Sequence, residues 1–144
     1  MCHEELLFME FDRLSGQIIG CALQVHKILG PGMLESAYEE CLTFELTSQG
    51  LYIQRQKPIP LVYKDIKLEC GYRLDILVNQ RIVVEIKSVE SLAPVHEAQI
   101  LTYMRFARIN LGLLINFNVT VLKNGIKRYV LWPSWLFVTT SWLI

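Results

Sequence analysis

Two charged residues interrupt an apolar run in the segment RIVVEIKS, which spans residues 81–88. Side chains alternate along a β-strand, so Glu85 and Lys87 would project from one face of a strand formed by this segment. The opposite face would carry only apolar side chains, namely Ile82, Val84 and Ile86. Because an ionised group that is buried without a partner is costly, we expect a second charged group or a bound cation next to Glu85.

The preceding run, YRLDILV, supplies a second carboxylate, Asp75, and the length of the intervening turn decides whether it meets Glu85. A two-residue turn would send the two carboxylates to opposite faces of the sheet. A three-residue turn or a bulge would pair Asp75 with Glu85 and Arg73 with Lys87, with Cβ atoms about 5 Å apart. Like charges placed opposite each other destabilise a sheet unless a cation lies between them. The second register therefore predicts a site for a hard divalent cation such as Mg²⁺.

Two carboxylates and a lysine on one face are suited to metal-assisted cleavage of phosphate esters. Mg²⁺ takes one or two carboxylates, keeps several waters and completes its shell with substrate phosphate oxygens. Lys87 could orient or deprotonate the attacking water, or neutralise charge that builds on the phosphate. The alternative is an internal ion-pair network, in which Lys87 pairs with Glu85 and Arg73 with Asp75 and no catalysis occurs.

Length and composition indicate one soluble domain. The chain has 144 residues, of which 52% are apolar and 19% charged, enough to bury one core. Fourteen basic and 14 acidic side chains cancel, so attraction to a nucleic acid must come from a local site. No run approaches the roughly 20 apolar residues that cross a bilayer. The start, MCHEELLFMEFDR, lacks the basic residues of a signal peptide, so we expect a cytoplasmic protein without membrane contact.

Hydrophobic periodicity predicts the elements that position these residues. Helices are predicted over residues 15–29, 33–49 and 94–108, short strands between 51 and 88, and a buried strand over 110–117. Ser15 is the expected N-cap of the first helix, and Asn124-Gly125 predicts a hairpin within VTVLKNGIKRYVL. The order of elements favours a mixed sheet flanked by helices. The four cysteines form no CxxC pair, so reduced thiols are expected.

Asp75 followed by Glu85-Ile86-Lys87 on the next strand resembles the PD-(D/E)XK nuclease superfamily. GMLESAY at residues 32–38 matches the GxxExxY signature of one small family of that superfamily. The similarity continues through PVHEAQILTY and GLLINFN to about Leu131, roughly 115 of the 144 residues. One departure is YRLD at residues 72–75, which lacks the proline of the superfamily's name.

The resemblance implies a restriction-endonuclease-like α/β fold with an αβββαβ core, in a single domain over residues 1–131. It also implies phosphodiester hydrolysis in DNA or RNA that depends on Mg²⁺ or Mn²⁺. The alternative function is a catalytically inactive module that binds nucleic acid or protein on the same fold. The apolar tail over residues 132–144 falls outside the resemblance. It could cover a sheet edge, form a homodimer contact or arise from a shifted reading frame.

Helical spacing adds further candidates to the site. Glu35 and Tyr38 share one stripe of the second helix, and the third helix carries a similar stripe. If both stripes face the strand that bears Glu85, Glu35 can complete the metal shell. An amide or a phenol on the third helix can hold a phosphate, since both donate hydrogen bonds without adding charge. The expected metal ligands are Glu35, Asp75 and Glu85, the catalytic residues are these three with Lys87 and Gln99, and the substrate contacts are Tyr38, Arg73, His96 and Tyr103.

Structural roles remain open for several of these residues. Glu35 could be a carboxylate stabilised by the start of a helix, where the dipole favours negative charge. His96 could be a packing histidine. Tyr38 and Tyr103 could lie half in the core, where a buried hydroxyl needs a hydrogen-bond partner.

Overall fold

The structure, a computed structural model, describes residues 2–69, 71–131 and 138–143. The helices are α1 (His3–Leu29), α2 (Glu35–Ser48) and α3 (Pro94–Ala107). The strands are β1 (Ile53–Pro58), β2 (Leu61–Tyr63), β3 (Ile66–Leu68), β4 (Arg73–Val78), β5 (Ile82–Lys87), β6 (Leu111–Asn116), β7 (Ile126–Leu131) and β8 (Val138–Leu143). A short 3-10 helix, Leu122–Gly125, precedes β7. Among the described residues, no helix has both the length and the apolar character needed to cross a membrane.

The larger sheet orders its strands β1-β4-β5-β6-β7-β8, and β2 and β3 form a separate antiparallel pair. β5 and β6 are parallel and α3 connects them, whereas the other neighbouring strands are antiparallel. The predicted fold class, an α/β mixed sheet flanked by helices in one domain, is confirmed. In the tail, β8 pairs with β7 at the edge of the sheet, which matches the sheet-edge interpretation. Residues 132–137 and 144 of the tail lie outside the described residues.

Two hydrophobic cores lie on opposite faces of the sheet. The first core packs α1 and α2 against side chains that include Ile82, Val84 and Ile86 of β5. The second core packs α3 against the other face, where Val83 of β5 contributes. Glu85 follows Val83 at a spacing of two, so its side chain projects toward the α3 side.

The first helix begins earlier than the sequence predicted. It spans His3–Leu29, because the apolar stripe extends back to Phe11, which lies in the same core as Ile18. Ser15 is therefore not an N-cap. It is buried within α1, and its hydroxyl donates to the carbonyl of Asp12 at 3.4 Å.

The predicted hairpin at Asn124-Gly125 is wrong. These residues close the 3-10 helix, where the N–H of Asn124 donates to the carbonyl of Val121 at 3.0 Å. The strand after them, β7, pairs with β6 instead of with residues 119–122. A Cβ atom at position 125 would lie 2.2 Å from the carbonyl oxygen of Asn116, so the glycine is required by close contact with β6.

Candidate active site

The turn after β4 sets the register that the candidate site needs. In the β4–β5 ladder, Val78 pairs with Ile82, Leu77 with Val83 and Ile76 with Val84. Three residues, 79–81, therefore lie between the paired positions, and the next step of the register sets Asp75 opposite Glu85. The predicted three-residue turn or bulge is confirmed, and the two carboxylates lie on one face.

The turn uses an uncommon backbone conformation. Asn79 and Gln80 have φ angles of +51° and +55°, and the N–H of Arg81 donates to the carbonyl of Val78 at 2.9 Å. Two successive positive φ angles match the right-handed twist of a hairpin, and asparagine adopts them readily. Gln80 lacks that preference, so the register is fixed at a modest cost in backbone strain.

Asp75 and Glu85 form an acidic pair, and each carboxylate of the acidic pair accepts a hydrogen bond from the backbone of the opposite strand. Asp75 Oδ2 accepts from the N–H of Ile86 at 2.9 Å, and Glu85 Oε1 accepts from the N–H of Asp75 at 3.1 Å. The backbone pairing of β4 with β5 ends at Ile76 and Val84, and these two bonds to side chains lie directly beyond that end. The carboxyl groups are thus held beside each other by the backbone, at the end of the β4–β5 pair.

Burial makes the acidic pair electrostatically unfavourable. Glu85 is 3% exposed, and burial raises the pKa of its carboxyl group well above the ordinary value. The negative charge of Asp75 raises this pKa further, and a side-chain hydrogen bond with Asp75 acts in the same direction. The backbone hydrogen bond from Asp75 and the positive charge of Lys87 lower it. Burial and the neighbouring charge of Asp75 thus disfavour the charged form of Glu85.

Ion pairs of the described chain lie away from the acidic pair. They include those that join Arg55 to Glu39 and Glu40, Lys127 to Glu97, and Arg128 to Asp12. Within those residues, no ion pair joins Lys87 to Glu85 or Arg73 to Asp75, so the alternative of an internal ion-pair network is not found. Arg73 is exposed at the start of β4, and Lys87 is half-buried at the end of β5.

Helix α3 covers the face of the sheet that bears Glu85. Gln99 Nε2 donates to the hydroxyl of Tyr103 at 2.9 Å. Burial raises the pKa of the Tyr103 hydroxyl, the bond from Gln99 lowers it, and the charges of Glu85 and Asp75 raise it. The expectation that Gln99 and Tyr103 face the acidic pair is consistent with this electrostatic contact.

His96 caps α3. The ring atom Nδ1 of His96 accepts a hydrogen bond from the backbone N–H of Ala93 at 2.9 Å. The backbone N–H of His96 donates to the carbonyl of Ala93. The ring thereby satisfies one of the free donors at the start of the helix. This geometry gives His96 a structural role, and nothing in it supports the predicted contact with substrate.

Tyr38 belongs to the first core and not to the site. It is fully buried, and its ring stacks on Phe117 with centroids 4.5 Å apart. Its hydroxyl donates to the carbonyl of Gly30 at 2.5 Å and accepts from the N–H of Met33 at 3.1 Å. These bonds fix the connection between α1 and α2. The predicted substrate contact is corrected, because the hydroxyl is enclosed and already bonded.

Glu35 lies at the end of β5, where its carboxylate contacts the residue that follows the strand. Its helix packs on the face that carries Val84 and Ile86, opposite to Glu85. The exposed carboxylate of Glu35 accepts from the N–H of Ser88 at 3.2 Å, just beyond the end of β5. Across residues 2–69, 71–131 and 138–143, no group of three or more His, Cys, Asp or Glu side chains is arranged to hold a metal ion. Glu35 as a third ligand stays a prediction.

Two residues that the sequence did not single out for the site reach it from α2 and β1. Glu39 is buried and accepts from Arg55 Nη2 at 3.0 Å and from Gln56 Nε2 at 2.7 Å. Gln56 Nε2 also lies 3.5 Å from Asp75 Oδ1, so the amide bridges the two carboxylates. Glu39 follows Glu35 by four positions on α2, and this helical spacing was the available signal.

Gln56 has a left-handed backbone, with a φ of +49°, inside β1. The register from β1 to β4 continues on both sides of it, from Arg55 with Ile76 to Lys57 with Leu74. A non-glycine residue in this conformation within a strand is strained, and such residues concentrate at functional sites.

A family model described as the PD-(D/E)XK nuclease superfamily matches residues 12–129. This range includes every residue of the predicted site. No curated protein and no solved structure matches the chain. Together with the observed sheet and helices, the match establishes the predicted restriction-endonuclease-like fold. Membership of the narrower GxxExxY family stays a prediction.

Proposed function

The chain belongs to the PD-(D/E)XK nuclease superfamily, and on this premise we propose that it hydrolyses phosphodiester bonds in DNA or RNA with a divalent metal ion, Mg²⁺ or Mn²⁺. The observation that carries the proposal is the acidic pair, Asp75 and Glu85. Its carboxyl groups are adjacent and bonded to backbone N–H groups at 2.9 and 3.1 Å, and no ion pair within the described chain neutralises them.

The donor set fits a hard divalent cation. Asp75 and Glu85 present carboxylate oxygens, which such cations prefer, and two carboxylates suit the number that Mg²⁺ usually takes from protein. Burial of Glu85 makes its charged form unfavourable on its own, so a cation would relieve the repulsion. When bound, the metal would supply a Lewis acid for the phosphate and lower the pKa of the attacking water.

The remaining polar groups would orient the substrate. Lys87 lies two positions beyond Glu85 on the same face of β5, where its ammonium group can hold a phosphate oxygen or the attacking water. On the α3 side, Gln99 and Tyr103 carry hydrogen-bond donors without charge, which suits a phosphate held near two carboxylates. Glu39 and Gln56 would keep the Asp75 carboxylate in place from the β1 side.

Cleavage assays test the proposal directly. Purified protein should cleave a plasmid or a single-stranded oligonucleotide in Mg²⁺ or Mn²⁺, and Asp75→Asn and Glu85→Gln should remove this cleavage. Glu40→Gln is the matched control, because Glu40 is an exposed carboxylate on the same helix as Glu39. Calorimetric titration of Mn²⁺ should give binding to wild type and Glu40→Gln, and weak or no binding to Asp75→Asn.

The opposite result would favour a module without catalysis. If the wild-type protein neither binds Mn²⁺ nor cleaves either substrate, a nuclease is excluded. The chain would then be better described as a nucleic-acid- or protein-binding module on a nuclease fold.

A further inference from the structure

A groove of about 490 Å³ lies between the β2–β3 hairpin and α3. Its walls are largely apolar and aromatic. The residues that matter most here are Tyr63, Tyr72, Gln99, Tyr103 and Phe106. Tyr103 lines this groove and also packs in the second core with Val83, on the face of β5 that bears Glu85, so the groove leads to the candidate site.

We propose that this groove binds the unpaired bases of single-stranded nucleic acid, which makes a single strand the substrate of the candidate site. The inference rests on the proposed function and deepens it, because it names the strand state that the acidic pair would receive. The groove would hold bases on the side of α3 and the hairpin, and the adjoining backbone would extend toward Asp75 and Glu85.

The aromatic side chains are presented for stacking. Tyr63 is 60% exposed and Tyr72 is 47% exposed, so both rings leave much of their surface open to a ligand. The ring centroids of Tyr72 and Tyr103 lie 6.0 Å apart, the ring planes are tilted by 55°, and both residues line the groove. Aromatic rings stack on any unpaired base, whereas the bases of a duplex are already stacked and paired in its interior.

Cations lie over two of the aromatic rings that line the groove. Lys64 Nζ is 5.6 Å from the centroid of the Tyr63 ring, and Arg105 Cζ is 5.5 Å from the centroid of the Phe106 ring. Both cations are exposed. They supply local positive charge for a phosphate backbone, although the net charge of the chain is zero. Basic and aromatic side chains in alternation are typical of surfaces that bind single strands.

The neighbouring carboxylates favour nucleic acid over an apolar peptide as the occupant. A ligand in the groove would contact Tyr103, which packs in the second core with Val83 of β5, two positions before Glu85 on the same face of the strand. An apolar peptide would use the aromatic walls alone. A nucleic acid uses the walls, the two cations and the acidic pair together with a metal ion.

Binding without cleavage tests the groove. Fluorescence anisotropy in EDTA should show that a short labelled single strand, of DNA or RNA, binds about tenfold or more tightly than its duplex. Tyr63→Ala and Tyr72→Ala should each weaken single-strand binding by about tenfold, because one stacked base is lost. Tyr63→Phe should retain binding, since its ring still stacks. Tyr52→Ala is the control, because Tyr52 is 57% exposed but does not line the groove.

Equal affinity for single strand and duplex, or wild-type binding by Tyr63→Ala, would overturn the inference. Cleavage assays in Mn²⁺ distinguish a failure of the groove inference from a failure of the proposed nuclease function. A protein that cleaves duplexes and single strands alike, with no effect of Tyr63→Ala, is a nuclease without this specificity. A protein whose single-strand binding depends on Tyr63 and Tyr72 but which cleaves nothing supports the binding groove and overturns the nuclease.

Discussion

The two faces of β5 are buried alike but differ in chemistry. On the side of α1 and α2, Ile82, Val84 and Ile86 are enclosed by apolar side chains. On the side of α3, the same strand presents Glu85, which is 3% exposed, and the half-buried Lys87. The degree of burial is therefore similar on the two faces of β5. They differ in the polar partners available to each.

The buried carboxyl group of Glu85 is tolerated because a backbone N–H donates a hydrogen bond to it and the positive charge of Lys87 attracts it. The ladder between β4 and β5 extends as far as Ile76 and Val84, and beyond this point backbone N–H groups donate to carboxylates instead. Lys87 lowers the pKa of Glu85 in the same place. The apolar face stabilises the fold, whereas the face that bears Glu85 carries a buried carboxyl group whose charged form is unfavourable.

The largest effect is expected when a carboxylate is moved to the apolar face. Val84→Asp should destabilise the protein by about 3 to 5 kcal/mol, because the new charge has no partner among apolar side chains. Urea denaturation followed by circular dichroism would measure it. The reciprocal variant, Glu85→Val, should be neutral or stabilising in EDTA, since it removes an unfavourable buried charge. Equal stability of Val84→Asp and wild type would contradict the contrast between the faces.

The next largest effect concerns catalysis at Lys87. Lys87→Met keeps most of the packing of the stem and removes the charge, so the fold should persist and Mn²⁺ binding should persist or tighten. If the ammonium group takes part in the chemical step, cleavage should fall by about 100-fold or more, with little change in nucleic-acid affinity. Lys27→Met, on the exposed surface of α1, is the control. Cleavage at the wild-type rate would assign Lys87 a structural role.

Local rules placed one half of the acidic pair. Alternation along a strand put Glu85 and Lys87 on one face. The sequence left the turn after Val78 open between two and three residues, and the structure shows the three-residue turn that sets Asp75 opposite Glu85. Helix existence was equally predictable, since α2 and α3 lie within two residues of their predicted bounds.

Tertiary packing decided the remaining residues. Helical spacing put Glu35 and Tyr38 on one stripe of α2, but it could not tell which face of the sheet α2 would cover. The same limit applies to Gly125, whose close contact with the carbonyl of Asn116 outweighs the hairpin preference of Asn-Gly. The positive φ of Gln56 also has no signal in the sequence, because glutamine has no preference for that conformation.

A smaller effect is expected in the pH dependence of stability. Burial and then the charge of Asp75 raise the pKa of Glu85 above 4.5, its ordinary value. The folded protein therefore keeps a proton that the unfolded chain loses, and this stabilisation is fully present below about pH 4.5. In EDTA it should be lost as the pH rises toward the folded pKa, with a slope of at most about 1.4 kcal/mol per pH unit.

Comparison with Glu85→Gln isolates this contribution, because all other carboxylates titrate in both proteins. Wild type should lose more stability than Glu85→Gln between pH 4.5 and neutral pH. Mn²⁺ at neutral pH should restore stability to wild type and have less effect on Glu85→Gln. If the free energy of unfolding changes with pH in the same way for the two proteins in EDTA, the surroundings of Glu85 do not raise the pKa of its carboxyl group.

The smallest effect is expected at Gln56, which joins the strained backbone of β1 to the acidic pair. Its amide bonds to Glu39 at 2.7 Å and lies 3.5 Å from Asp75 Oδ1, while its φ of +49° costs about 1 kcal/mol in a non-glycine residue. Gln56→Gly removes both the strain and the amide, so its stability should stay within about 1 kcal/mol of wild type. Gln56→Ala keeps the strain and loses the amide, and should be less stable than Gln56→Gly. Both variants should cleave several-fold more slowly, through kcat more than KM, if the amide positions Asp75 for the chemical step. Full activity in Gln56→Gly would mean that the left-handed backbone at residue 56 shapes β1 and that the Gln56 amide has no role in catalysis.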